Sequence, residues 1–180
     1  HLESLCTLFN SDYHAATANN FSAHGNWNES LIAETLAKAL AYTEDLSGNT
    51  LRIPVKNGQQ YELKEFTITN FPLGEQLPCY VLTAEGEKSW IVPRGTEISK
   101  GRTASMESIL ADCDPKGIAN RILDDAKKTR QLEELFYHAG ENANIAGHSL
   151  GGLLANELAA RYPDKLAHSY GFSAPGISRV

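Results

Sequence analysis

The 180-residue chain has little of what marks several common protein classes. It holds only three cysteines, Cys6, Cys79 and Cys113. An odd, widely spaced set with no C-x-x-C pair, and no histidine at zinc-ligand spacing, excludes a disulfide-stapled miniprotein and a zinc ribbon. The thiols are expected to be free, and neither a metal nor an organic cofactor is implied. No basic run is longer than the Lys127-Lys128 pair, and the net charge is −6. Nucleic acid is therefore excluded as a partner, because its recognition needs a cationic footprint. No stretch approaches the roughly 18 to 20 apolar residues of a membrane span, and the first residues lack the basic and apolar segments of a signal peptide. The chain is expected to be soluble. Composition is silent on compartment and on oligomeric state.

What is present is ordinary globular material, 42% hydrophobic with 14 glycines and 7 prolines, enough for one domain around a real core. Residues 1 to 27 show no clear period and read as a covering arm; residues 28 to 180 read as the core. Ile32, Leu36 and Leu40 fall four residues apart, so a helix is expected from Ser30 to Thr43, capped by Ser30 or Asn28. Strand patterns follow at Leu51 to Val55, Tyr61 to Thr69 and Cys79 to Thr83. Trp90 to Val92 completes a hairpin around Gly86. Ile118, Ile122, Ala126, Leu132 and Phe136 mark one face of a helix expected from Gly117 to Tyr137 and stopped by Gly140. A short apolar strand, Ala143 to Ala146, a helix to Tyr162 and a strand from Leu166 to Phe172 close the chain. This alternation predicts an α/β fold with a mostly parallel sheet and helices on both faces.

Between that last helix and the strand before it lies Gly147-His148-Ser149-Leu150-Gly151, a G-x-S-x-G motif in strand-turn-helix context. Such a turn holds its serine in a strained conformation with the hydroxyl clear of the sheet. A side chain at Gly147 or Gly151 would strike the neighbouring strand or helix. Ser149 is the candidate nucleophile, with an exposed hydroxyl. The backbone N–H of Leu150, at the positive end of the following helix, is the first candidate oxyanion donor. His148 adjoins the serine on a tight turn and is expected to project away from it.

The segment Trp90-Ile91-Val92-Pro93-Arg94-Gly95-Thr96, followed by Gly147-His148-Ser149-Leu150-Gly151-Gly152, resembles the class 3 (fungal-type) lipases of the α/β-hydrolase superfamily. The likeness runs over roughly residues 79 to 176 and extends to Gly171-Phe172-Ser173-Ala174-Pro175-Gly176. It implies an α/β-hydrolase-type fold and gives Thr96 the second place in the oxyanion hole. Pro93 stands where the family usually has an aromatic residue, and the polar stretch from Ser99 to Ser108 where it often has an aspartate-tryptophan pair. Arg94 is read as tying the hairpin to the sheet.

In α/β-hydrolases the acid and base of the triad follow the serine. Asp164 and His168 have the right order. The helix after Ser149 nevertheless carries the chain nearly 20 Å to the far edge of the sheet, at ~1.5 Å per residue, and His138 falls at that same edge. The triad partners are therefore expected beyond Val180, and the chain is read as one incomplete domain over 1–180, truncated after the strand that follows the nucleophile helix. Two functions fit. The first is a serine carboxylic-ester hydrolase acting on an ester or lipid through an acyl-enzyme on Ser149, compatible with transient contact with a membrane or lipid interface. The second is a non-catalytic relative in which the turn is architecture and the domain serves binding or assembly.

Overall fold

The computed structural model describes residues 27–38, 40–42, 48–74, 77–95 and 115–172. Apart from Trp27, the expected covering arm lies outside them. Helix α1 spans Glu29–Lys38 and is followed by a 3-10 turn, Leu40–Tyr42. Its cap is Asn28, whose Oδ1 accepts the N–H of Leu31 at 2.8 Å while its carbonyl accepts that of Ile32. Next come β1 (Thr50–Asn57), β2 (Gln60–Asn70), β3 (Cys79–Thr83) and β4 (Trp90–Pro93). Helices α2 (Pro115–Lys128) and α3 (Gln131–Ala139) lead to β5 (Ala143–His148), α4 (Leu150–Arg161) and β6 (Leu166–Phe172).

The six strands form one sheet in sequence order, β1 to β6. The expectation of a mostly parallel, α/β-hydrolase-type sheet is overturned. Three neighbouring pairs, β1·β2, β2·β3 and β3·β4, are antiparallel, and only β4·β5 and β5·β6 are parallel. Connection length is the physical reason. Parallel neighbours need a crossover of about a dozen residues or more, and only the last two connections contain a helix. The earlier ones are short: β1 and β2 are joined through Gly58 and Gln59, with Asn57 paired to Gln60, and Gly58 takes φ 66°. Gly86, at φ 78°, turns β3 into β4.

The long helix expected from Gly117 to Tyr137 is two helices. The chain breaks at Arg130, which adopts a left-handed conformation at φ 64°. Gln131, the first residue of α3, clasps Gly74 by donating from Nε2 to its carbonyl and accepting its N–H at Oε1. That pair of bonds fixes the angle at which α3 departs. Gly140 ends α3 in the expected place, at φ 78° with its N–H on the Phe136 carbonyl.

Alternation along the strands divides the core in two. Tyr80, Leu82, Trp90, Val92 and Ala146 face one side, where Ile32, Ala33, Leu36 and Ala37 of α1 cover them. Cys79, Val81, Ile91, Ala143 and Ile145 face the other, under α2, α3 and α4. Strands β3 to β5 are thus apolar on both faces. The β1·β2 hairpin turns only residues such as Leu51, Ile53, Phe66 and Ile68 inward and leaves Arg52, Glu65 and Thr67 exposed. Pro54, which cannot donate to a ladder, sits in the edge strand β1, where the loss is tolerated. Among the described residues no helix is long and apolar enough to cross a membrane.

Candidate active site

Ser149 stands between the end of β5 and the first residue of α4 with φ 61° and ψ −126°. An L-residue rarely occupies this region, which costs roughly 1 to 3 kcal/mol and persists only where the surroundings impose it. Here they do. The Ser149 N–H donates to the carbonyl of Phe172 at 2.8 Å, pinning the turn to the end of β6, and its own carbonyl accepts the N–H groups of Gly152 and Leu153, which starts the helix.

The glycines around it leave no room for a side chain. A Cβ on Gly147 would lie 2.0 Å from the carbonyl oxygen of Gly151. One on Gly151 would lie 2.4 Å from the carbonyl oxygen of Pro93, and one on Gly152 3.1 Å from the carbonyl oxygens of Gly147 and Phe172. Three strand ends and the head of α4 therefore meet at backbone contact distance. Sequence reasoning singled out Gly147 and Gly151, but the β4 partner of Gly151 had no signal in the motif. The chain leaving β4 brushes the turn at Arg94 and Gly95, 3.2 Å from the same hypothetical Cβ. Thr96, the next residue, lies outside the described residues.

The Ser149 hydroxyl departs from expectation. The residue is 4% exposed, and its Oγ is buried without a hydrogen-bond partner among the described residues. Burial without a partner is costly for a hydroxyl, and such orphans call for a functional or structural reason. The side chain of Leu150 is buried under the sheet, and its N–H is the first of α4, where amides have no intrahelical acceptor.

The titratable residues weighed from sequence lie as follows. His148 shares the α1 face of β5 with Ala146 and is partly buried; desolvation first, and the charge of Lys38 second, hold its imidazole below the ordinary value of 6.5. Lys38 itself lies over the ring of Phe172, 5.7 Å from its centroid, so the end of α1 borders the elbow. The exposed His138 packs on Phe71 at 4.8 Å. Asp164 is exposed in the turn between α4 and β6. His168 places Nδ1 2.6 Å from Glu29 Oε1. In the β5·β6 register it lies beside Asn144, whereas the elbow lies beside Phe172, a separation of about 13 Å at ~3.3 Å per residue. None of these groups bonds to Ser149 Oγ. His14 and His24 fall outside the described residues. The Cys79 thiol is no rival nucleophile: it is fully buried in the core, and burial pushes its ionisation up. Among the described residues no three of His, Cys, Asp and Glu gather as a metal site would require.

Compared with known proteins, the chain matches no family model, no curated protein and no solved structure.

Proposed function

We propose that the protein is a serine carboxylic-ester hydrolase in which Ser149 Oγ attacks the carbonyl carbon of an ester, expels the alcohol and is released from the acyl-enzyme by water. The observation that carries this reading is the conformation of Ser149, a strained residue between strand and helix with a hydroxyl that bonds to nothing described. A hydroxyl left unsatisfied at the head of a helix costs stability and is explained by chemistry that needs it unencumbered. The N–H of Leu150 supplies one oxyanion donor. The resemblance of the Trp90-to-Thr96 and Gly147-to-Gly152 segments to the class 3 lipases assigns the other to Thr96 and points to an ester or lipid as substrate.

One observation favours a second reading. The hydroxyl is covered, and no described histidine reaches it, as a non-catalytic protein keeping the turn as architecture would have it. A fluorophosphonate probe separates the two, since it labels only an activated serine. In the intact protein the first reading expects one adduct per chain, on the peptide containing Ser149, and none in Ser149→Ala. A folded, intact protein that stays unlabelled in the presence of detergent or lipid favours the second.

A further inference from the structure

A recess of about 620 Å³ opens where α2, α3 and the turn between α4 and β6 meet. It lies at the far end of α4 from Ser149, since Tyr162, in its wall, follows the last residue of that helix, about 18 Å away at ~1.5 Å per residue. The volume suits a small organic molecule. Leu132 and Phe136, both nearly buried, line it, and Tyr162 packs on Phe136 with ring centroids 5.1 Å apart. Tyr137 stands in the same wall 92% exposed. Its ring offers a π face that no described residue covers.

Four cations line the recess: Lys127 and Lys128 from the last turn of α2, Arg130 from the break before α3, and Lys165 from the turn before β6. They gather in a chain whose net charge is −6. Glu133 is the one carboxylate among the described lining residues, and it reaches Arg130 at 3.9 Å, between two exposed side chains. Lys127, Lys128 and Lys165 form no ion pair among the described residues, and their chain neighbours Asp125 and Asp164 do not line the recess. Local structure does not account for these charges. A lysine at the end of a helix can serve its last carbonyls, yet those of Asp125, Ala126 and Lys127 already accept from Thr129 and Arg130. Arg130 holds φ 64°, where glycine or asparagine would be at less steric cost. The Lys165 ammonium lies over the Phe136 ring, 5.4 Å from its centroid, so this charge is held within the recess instead of trailing in solvent.

Concentrated positive charge beside open aromatic rings selects an anion with an aromatic body. The number of cations decides its class. A carboxylate carries a single charge, whereas a phosphate monoester carries roughly 1.5 to 2 at neutral pH and presents three acceptor oxygens. Those oxygens suit both the lysine ammonium groups and the planar fork of Arg130. We infer that this recess binds a small aromatic phosphate monoester, its phosphate among Lys127, Lys128, Arg130 and Lys165 and its ring on Tyr137 and Tyr162. The site is separate from Ser149 and does not depend on its chemistry.

The test is calorimetric titration of the full chain with phenyl phosphate, against inorganic phosphate and phenol, and sedimentation with vesicles of phosphatidylcholine and phosphatidic acid. Saturable binding of one phenyl phosphate per chain is expected, with inorganic phosphate and phenol each weaker by about tenfold or more, because each lacks half of the contacts. Arg130→Gly removes the guanidinium and relieves the left-handed backbone, so the chain stays folded. Lys165→Gln removes a second cation at an exposed position. Each is expected to weaken phenyl phosphate by about fivefold or more, the upper end for an exposed charge pair. Lys56→Gln makes the same change of charge on the edge strand β1 and should leave affinity within about twofold, since distant charges are screened. Ser149→Ala is expected to bind as the parent does. Absence of saturable binding, equal affinity for inorganic phosphate or phenol, unchanged affinity in Arg130→Gly, or equal weakening by Lys56→Gln overturns the inference. Sedimentation with the vesicles without binding of phenyl phosphate also overturns it, and assigns the face to an anionic membrane.

Discussion

At Ser149 two costs coincide, a left-handed backbone and a buried hydroxyl without a partner. Each makes a separate prediction. Ser149→Gly removes both the strain and the hydroxyl, and glycine's larger loss of chain entropy, about 0.5 to 1 kcal/mol, offsets only part of that relief. Thermal or denaturant unfolding is expected to show a protein more stable than the parent by on the order of 1 kcal/mol, without labelling or ester hydrolysis. Ser149→Ala is expected to lose the same activity while keeping stability within about 1 kcal/mol, because it removes the orphan hydroxyl but not the strain. A loss of several kcal/mol in the glycine variant would show that the conformation is not imposed by the surroundings. His148 supplies a pH signature. Its imidazole is held below its ordinary value in the folded chain, so between the folded and unfolded values the unfolded state binds more protons. Stability contributed by neutral His148 is then complete above about pH 6.5 and is lost as pH falls through the folded value. Replacing His148 by Gln should flatten the fall in stability below pH 6.5 relative to the parent; an identical pH profile would place the imidazole in water.

Among elements, the junction of β5 and α4 carries the tightest packing, and the distances rank three substitutions. A methyl group on Gly147 meets backbone at 2.0 Å, on Gly151 at 2.4 Å and on Gly152 at 3.1 Å. Backbone cannot swing aside as a side chain can. Gly147→Ala and Gly151→Ala are expected to cost more than about 3 kcal/mol, with Gly152→Ala clearly milder; equilibrium urea unfolding of the three measures the order, and a harmless Gly147→Ala would mean that the strand ends do not meet as described. The first two glycines were legible because a motif constrains its own residues, whereas Pro93, which blocks Gly151, arrives from a strand almost sixty residues earlier. The same limit separates what sequence patterns revealed from what they did not. Strand-like runs bounded by turn residues, with period-two alternation in β2, locate β1 to β4 within a residue or two, and Gly140 marks the end of α3. The apolar period running from Ile118 to Phe136 continued through Arg130, since a left-handed residue flanked by two helices leaves side-chain periodicity nearly intact. The parallel β5-α4-β6 unit suggests a mostly parallel sheet, although the tight turns at Gly58 and Gly86 already require antiparallel neighbours. Burial of the Ser149 hydroxyl and of Asn144 Oδ1, each without a partner among the described residues, are tertiary facts to which no local pattern corresponds.

For the whole molecule, the central strands β3 to β5 are the partition between two apolar layers, so neither layer is a separate domain. Leu36 and Leu82 belong to one and Leu123 and Ile91 to the other, yet the strands that carry Leu82 and Ile91 are hydrogen-bonded neighbours. Loss of either layer would expose one face of a sheet that is apolar on both, which ties their stabilities together. A pair of conservative substitutions examines this. Ile53 on β1 faces the α1 layer and Ile91 on β4 the opposite one; both are fully buried. They lie three strands apart, about 14 Å at ~4.8 Å per strand, and share no face. Each Ile→Val change is expected to cost about 0.5 to 1.5 kcal/mol by removing one methylene. At that separation the costs should add to within about 0.5 kcal/mol in the double variant. Addition alone would also hold for two independent units, so the decisive readout is cooperativity. With one partition supporting both layers, far-UV circular dichroism and the fluorescence of Trp27 and Trp90, which both pack in the α1 layer, should trace the same urea transition in the parent, both single variants and the double variant. If Ile53→Val shifts the tryptophan transition to lower urea while the circular dichroism of the helices on the other face stays at the parent midpoint, the layers unfold separately and the sheet does not act as a single partition.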